Sequence, residues 1–249
     1  MRLSDVQVVE LFHVAFLDVL SRRLKPDRYV LKGGVNLRYF FGSPRYSEDI
    51  DLDSLGVPVF NLEKKVDDLL EAGALQLLLR AAGVAVAETS KPKQTETTQR
   101  WKIGLRAPDR DQPIRTKIEF SRRQASDGYE LEPIPAAVVE PYALRAPSVQ
   151  HYAGDAPTRQ KAAALAQRSE TQARDVFDLD LLLRRLPFPA GAVAEDVLRA
   201  AADRALELPF DAFRDQVVPF LEPDATELYD RAAWEQMQTF VASKLEELI

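Results

Sequence analysis

The chain has 249 residues and not one cysteine. Disulfides and thiolate-held metals are therefore excluded. Its two histidines, His13 and His151, are too few for a zinc centre built on imidazole. Any metal site must draw on oxygen ligands, which favours Mg²⁺ or Mn²⁺. Long hydrophobic runs are also missing. No window approaches the roughly 20 apolar residues of a membrane-spanning helix. The first twenty residues are broken by Asp5, Glu10, His13 and Asp18, so no signal-peptide core is read there. The expectation is a soluble, cytoplasmic protein with no membrane partner.

What the chain does have is ordinary globular usage, with 46% hydrophobic and 29% charged residues, enough to bury a core without staples. A net charge of −6 argues against a generic nucleic-acid coat protein. The average hides an asymmetry. Residues 100–123 hold eight basic residues (Arg100, Lys102, Arg106, Arg110, Arg115, Lys117, Arg122, Arg123) against three acidic ones, a local balance of +5. Residues 195–249 hold five basic and thirteen acidic residues, a balance of −8. A polyanion would meet the first region and avoid the second.

Ser4 and Gln7 make a capping box for an amphipathic helix over 4–24. A short strand at 29–31 leads into a helix over 34–41. A loop follows, then a strand at 49–53. Asn61 is expected to cap a helix reaching to about 82, with Gly83 as its stop. Strand patterns follow at 84–87, 95–105 and 114–121, with a turn at 107–113. Residues 124–157, rich in proline, read as a connector or a loosely structured strand region. Beyond them the pattern is helical: 157–169, 171–186, 193–206, 210–221 and 226–248. The expected fold class is α+β: a mixed-sheet αβ domain over 1–145, then a helical domain over 146–249.

Three features carry chemistry. Leu31-Lys32-Gly33-Gly34 puts a glycine pair at a strand-to-helix junction, where backbone can approach a ligand and helix N–H groups meet an anion. In Arg45-Tyr46-Ser47-Glu48-Asp49-Ile50-Asp51-Leu52-Asp53 the strand alternation sends the three aspartates one way and Ile50 and Leu52 the other. Side-by-side carboxylates call for a cation, and two of them can share a pair of Mg²⁺ ions at a phosphoryl-transfer site. A protected strand edge would carry the same pattern. In Lys117-Ile118-Glu119-Phe120, Lys117 and Glu119 share a face, as a third carboxylate on a neighbouring strand or as an ordinary cross-strand pair.

Together these blocks resemble the amino-terminal signature of the AbiEii-type nucleotidyltransferases, toxins of type IV toxin–antitoxin systems within the polymerase-β-like superfamily. Lys161-Ala162-Ala163-Ala164-Leu165 with Arg168, then Arg174-Asp175-Val176-Phe177-Asp178-Leu179, resembles the family's second signature. The blocks span residues 30–180 in order. The resemblance implies a nucleotidyltransferase domain followed by a helical domain. It implies transfer of NMP from an NTP, with Mg²⁺ or Mn²⁺, to an acceptor hydroxyl such as the 3′ end of tRNA or another RNA. It also implies a cognate antitoxin.

By position it assigns the triphosphate cradle to Gly33 and Gly34, with Lys32, Arg45 and Ser47 as further nucleotide-binding candidates. Asp49, Asp51 and Glu119 would bind metal. Lys161 would neutralise the triphosphate, Asp175 would sit beside it as base or orienting group, and Asp178 would brace Lys161. The chain departs from the subfamily in having Val35, not a hydroxyl residue, after the glycines. Two rival readings are a nucleotidyltransferase acting on an aminoglycoside-like small molecule, and a nucleotide-binding regulator without catalysis.

Overall fold

A computed structural model describes residues 3–123, 125 and 127–249. By packing, the chain divides into two units. The first comprises Met1–Phe40 with Tyr46–Tyr152, the second Phe41–Arg45 with Ala153–Ile249.

In the first unit, helix α1 (Asp5–Arg23) starts at the expected capping box, with Ser4 and Gln7 satisfying each other's backbone N–H groups. Strand β1 (Tyr29–Lys32) runs directly into α2 (Gly33–Phe40), and β2 (Ile50–Ser54) carries the alternating acidic pattern. Where one helix was expected to reach 82, two form: α3 (Val59–Leu70) and α4 (Gly73–Arg80). The break falls at Ala72, which is extended with ψ 129°, ahead of Gly73. It lets Leu62, Val66 and Leu69 of α3 and Leu75 and Leu79 of α4 all reach one core. The residue at the head of α3 is Pro58; Asn61 lies inside the helix.

Strands β3 (Ala85–Gln94), β4 (Thr98–Arg106) and β5 (Ile114–Ser121) follow. The proline-rich stretch, read as a connector or a loose strand region, contains two strands, β6 (Tyr129–Pro133) and β7 (Ser148–Tyr152), with the short helix α5 (Ala136–Val139) between them. The seven strands form one mixed sheet in the order β3-β4-β5-β2-β1-β7-β6. The pairs β1–β7 and β2–β5 are parallel, and the others are antiparallel. Ile50, Leu52, Ile118 and Phe120 are fully buried in the core that α1, α3 and α4 share. Their alternate neighbours Asp51 and Glu119 therefore fall on the opposite face.

One polar thread crosses that core. His13 on α1 sits 2.9 Å from the Thr116 hydroxyl of β5. Thr116 donates to the Glu48 carbonyl at 2.7 Å. Burial pushes the His13 pKa down to about 3, so the ring is neutral at physiological pH. The thread ties α1 and β5 to the backbone just ahead of Asp49.

The second unit is built from α6 (Ala156–Gln167), α7 (Ala173–Arg185), α8 (Glu195–Glu207), α9 (Phe210–Gln216), the short α10 (Pro223–Thr226) and α11 (Arg231–Glu246). Its own core includes Leu165, Val176, Leu179, Leu198, Phe213 and Trp234. Phe213 stacks on Trp234 with ring centroids 4.7 Å apart. Asp230 caps α11 by accepting from the Ala233 N–H at 2.8 Å. Gln238 of α11 donates to the Ala205 and Leu208 carbonyls at 2.6 and 2.9 Å, satisfying orphan acceptors at the end of α8. The architecture is α+β, a mixed sheet followed by helices.

Candidate active site

The site in the first unit begins with a glycine that only glycine can occupy. Gly33 has φ +70°, and a Cβ there would lie 2.8 Å from the Asp51 carboxylate. The register sets this up, because Lys32 of β1 is the Cα partner of Asp51 on β2. The Asp51 carboxylate thus occupies the space beside the first residue of α2, where helix N–H groups lack intrahelical partners. Gly33→Ala is expected to cost about 1 kcal/mol for the left-handed backbone alone. It would also push the Asp51 carboxylate out of place. Activity should fall more than stability does, read as a larger drop in transfer rate than in the fraction folded.

On the other side of β2, Asp51 is the Cα partner of Glu119 on β5. Asp49 directly precedes the strand. Its backbone carbonyl accepts from the Ser47 hydroxyl at 2.8 Å, and its carboxylate accepts from Lys117 at 2.6 Å. Glu119 is held by Arg100 at 2.7 Å. Asp53 is committed differently. It is 6% exposed and takes the Tyr152 hydroxyl at 2.6 Å and the Lys32 ammonium at 2.5 Å.

Asp51 alone has no hydrogen-bond partner among the described residues. Burial pushes its carboxyl pKa up. Lys117 opposes that, the neighbouring Asp49 and Glu119 charges add to it, and Lys32 opposes it again. Among the described residues no three acidic or imidazole side chains are grouped closely enough to enclose a metal. The donor chemistry nonetheless fits a hard divalent ion. All three candidates offer oxygen, and Asp51 is held open between two further carboxylates.

The second unit gathers the remaining sequence candidates into a buried ion cluster. Lys161 of α6 lies 2.9 Å from Asp175 and 2.6 Å from Asp178, both on α7 and both fully buried. Arg45 contacts Asp178 at 3.3 Å, and Arg168 contacts Asp175 at 3.0 Å. Burial alone would lower the Lys161 pKa, but Asp175 and Asp178 outweigh it and raise it. Asp178 shows the mirror case. Burial would raise its pKa, and Arg45 and Lys161 bring it below the usual carboxylate value. The α7 carboxylates are therefore internal ions and not a solvated face. Arg45, read from sequence beside the glycine pair, packs with this second cluster.

Sequence reasoning missed the cations that position the acids. Lys117 was visible only as a partner of Glu119 in the alternation, and it pairs with Asp49 instead. The Arg100–Glu119 pair depends on the β4–β5 register, which no local pattern encodes.

The chain's fold is similar to that of a Helicobacter pylori protein, JHP933, at TM-score 0.60 and 20% identity, over 99% of this chain and 96% of that one. It is also similar to MenT4, a nucleotidyltransferase toxin of Mycobacterium tuberculosis, at TM-score 0.63 and 19% identity, over 97% and 84% of the two chains. No curated protein matches it in sequence. The family model for the nucleotidyl transferase AbiEii toxin of type IV toxin–antitoxin systems matches residues 15–247, a span that takes in both the acidic strand and the buried lysine cluster. With nearly the whole chain accounted for, the protein belongs to the AbiEii nucleotidyltransferase toxin family and is a nucleotidyltransferase.

Proposed function

We propose that the protein transfers NMP from an NTP, with Mg²⁺ or Mn²⁺, to a hydroxyl at the 3′ end of tRNA or another RNA, as a growth-arresting toxin neutralised by a cognate antitoxin. The observation that supports this most is the seating of Asp51. Its carboxylate abuts Gly33 at the head of α2, in register with Glu119 and two residues from Asp49.

Gly33 and Gly34 present backbone N–H groups to the triphosphate, with Lys32 and Ser47 beside them. Asp49, Asp51 and Glu119 would hold the metal. A bound divalent ion supplies Lewis-acid activation of the acceptor hydroxyl and charge neutralisation at the phosphates. Lys117 and Arg100 position Asp49 and Glu119 in the resting protein. Lys161, kept protonated by Asp175 and Asp178, is the cation assigned to the nucleotide's phosphates, with Arg45 fixing Asp178. The proposed setting is the cytoplasm; no helix among the described residues is long and apolar enough to cross a membrane.

The test offers labelled NTPs and Mg²⁺ with RNA and protein fractions separately as acceptors. Label should enter RNA, and both chelation of the metal and Asp49→Ala should abolish it. Absence of transfer to RNA by the unaltered protein would overturn the RNA reading.

A further inference from the structure

The eight basic residues of 100–123 are sorted by the sheet. Arg100 and Lys102 of β4 and Arg115 and Lys117 of β5 lie on the face that carries Asp51 and Glu119. The register shows this, with Arg100 opposite Glu119, Lys102 opposite Lys117 and Gly104 opposite Arg115. Others turn away from it. Arg110 binds Asp5 at 2.7 Å, and Arg122 binds Gln99 at 3.1 Å.

A cavity of about 630 Å³ opens over this face, its lining including the acids Asp49 and Glu88, Ser90 and the bases Lys102, Arg115 and Lys117. Its volume falls in the range of ligand sites. Lys102 and Lys117 stand directly opposite each other on adjacent strands, like charges that repel except where a carboxylate neutralises one of them, as Asp49 does for Lys117. Lys117 and Arg115 are fixed in place by Asp49 and Glu88. Lys102 is exposed and forms no ion pair among the described residues. Gly104 leaves room for the arrangement, since a Cβ there would lie 3.1 Å from the Arg115 guanidinium and 3.1 Å from Glu88. Arg115 and Lys117 are two strand positions apart, about 6.8 Å along the strand, a step similar to that between successive phosphates of an extended nucleic-acid strand.

We infer that this cavity is the acceptor subsite. It holds the phosphodiester backbone of a single-stranded polynucleotide next to its reactive hydroxyl, gripped by Lys102 and Arg115, with the hydroxyl of Ser90, the Cα partner of Lys102, as a further donor to phosphate or sugar. Asp49, on the cavity wall, ties the subsite to the proposed metal ligands. The inference rests on the nucleotidyl-transfer reading above and adds where the acceptor lies.

The experiment uses the full chain and a labelled single-stranded RNA with a free 3′ hydroxyl, followed by fluorescence anisotropy over a series of salt concentrations. The variant Lys102→Ala with Arg115→Ala should bind this RNA at least about tenfold more weakly. Its slope of log affinity against log salt should be shallower by about 1.4, at roughly 0.7 per lost phosphate contact. Lys102→Glu alone should weaken binding further than Lys102→Ala. Both side chains are well exposed, so melting temperatures should match the unaltered protein.

Binding of NTP without RNA, followed by its thermal stabilisation of the protein, should be unchanged in the double variant. An unchanged RNA slope, an equal loss of NTP binding, or a loss of labelling confined to a protein acceptor would each overturn the inference. The two readings fail separately. If the slope changes but no transfer to RNA occurs, the subsite stands and the transfer reading falls. If transfer to RNA occurs with an unchanged slope, only the subsite falls.

Discussion

Asp51→Asn is expected to lower nucleotidyl transfer by about 10³-fold or more, on the scale of losing a central charged group of an active site, while making the free protein more stable. The two effects share one cause. Asp51 is a partly buried carboxylate without a hydrogen-bond partner among the described residues, set between Asp49 and Glu119. Its folded pKa is raised, chiefly by burial. For an acid this means that the folded state favours the protonated form. Stability is then fully present below the unfolded value of 3.8 and is lost as pH rises through the folded pKa.

Asparagine removes that loss. At neutral pH the variant should melt higher by about 2–4 °C, equivalent to roughly 1 kcal/mol for a chain of this size. The difference should shrink on acidification and disappear once Asp51 is protonated in both states. Millimolar Mg²⁺ with NTP should reverse the order, because ligand binding stabilises only the protein that retains the site. Differential scanning fluorimetry across pH, with and without ligand, reads all three effects. A variant less stable than the parent at neutral pH without ligand would show that Asp51 is a structural carboxylate.

The sequence made the acidic face of β2 legible because strand alternation has a fixed period of two. Ile50 and Leu52 in the core define the opposite face for Asp51. Ile114–Ser121 was delimited correctly for the same reason. What stayed hidden depends on contacts distant in sequence. The break between α3 and α4 is dictated by the shared core and not by a strong local stop signal. In the proline-rich stretch a strand region is one of two readings, but the bounds of β6 are not legible, because it is exposed along its whole length and shows no hydrophobic alternation. At the site, the sequence offered Asp175 and Asp178 as polar positions off the apolar stripe of α7. It gave no sign that both are fully buried, because their burial is compensated by Lys161 from α6, Arg45 from the 41–45 segment and Arg168.

That compensation predicts the largest stability effect in the chain. Asp178→Ala leaves the Lys161 ammonium with one fewer counter-ion and removes the ion-pair contact that Arg45 makes with Asp178. Both cations are largely buried, with side-chain exposures of 11% and 4%. Removing one partner of a buried ion pair is expected to cost about 3–5 kcal/mol, because the remaining charge cannot regain water. Asp178→Asn should cost less, since an amide oxygen still accepts a hydrogen bond. The double variant Arg45→Met with Asp178→Leu should recover much of the loss, because a well-packed apolar pair replaces this buried ion pair.

The two tryptophans make the measurement local. Trp101 belongs to the first unit, and Trp234 is buried in the core of the second. In a Trp101→Phe background, urea unfolding followed by fluorescence reports Trp234 alone. The ordering expected is parent, then Asn, then Ala, with the double variant above Ala. Equal stability of the Ala variant and the parent would show that the cluster contributes nothing net to the unit. A double variant no better than Ala would place the loss in packing around Asp178, not in the stranded charge. Transfer assays on the same proteins at a temperature where all are folded then separate the two roles. Loss of activity in the refolded double variant would assign the cluster to positioning Lys161, and retained activity would leave it as a structural ion cluster.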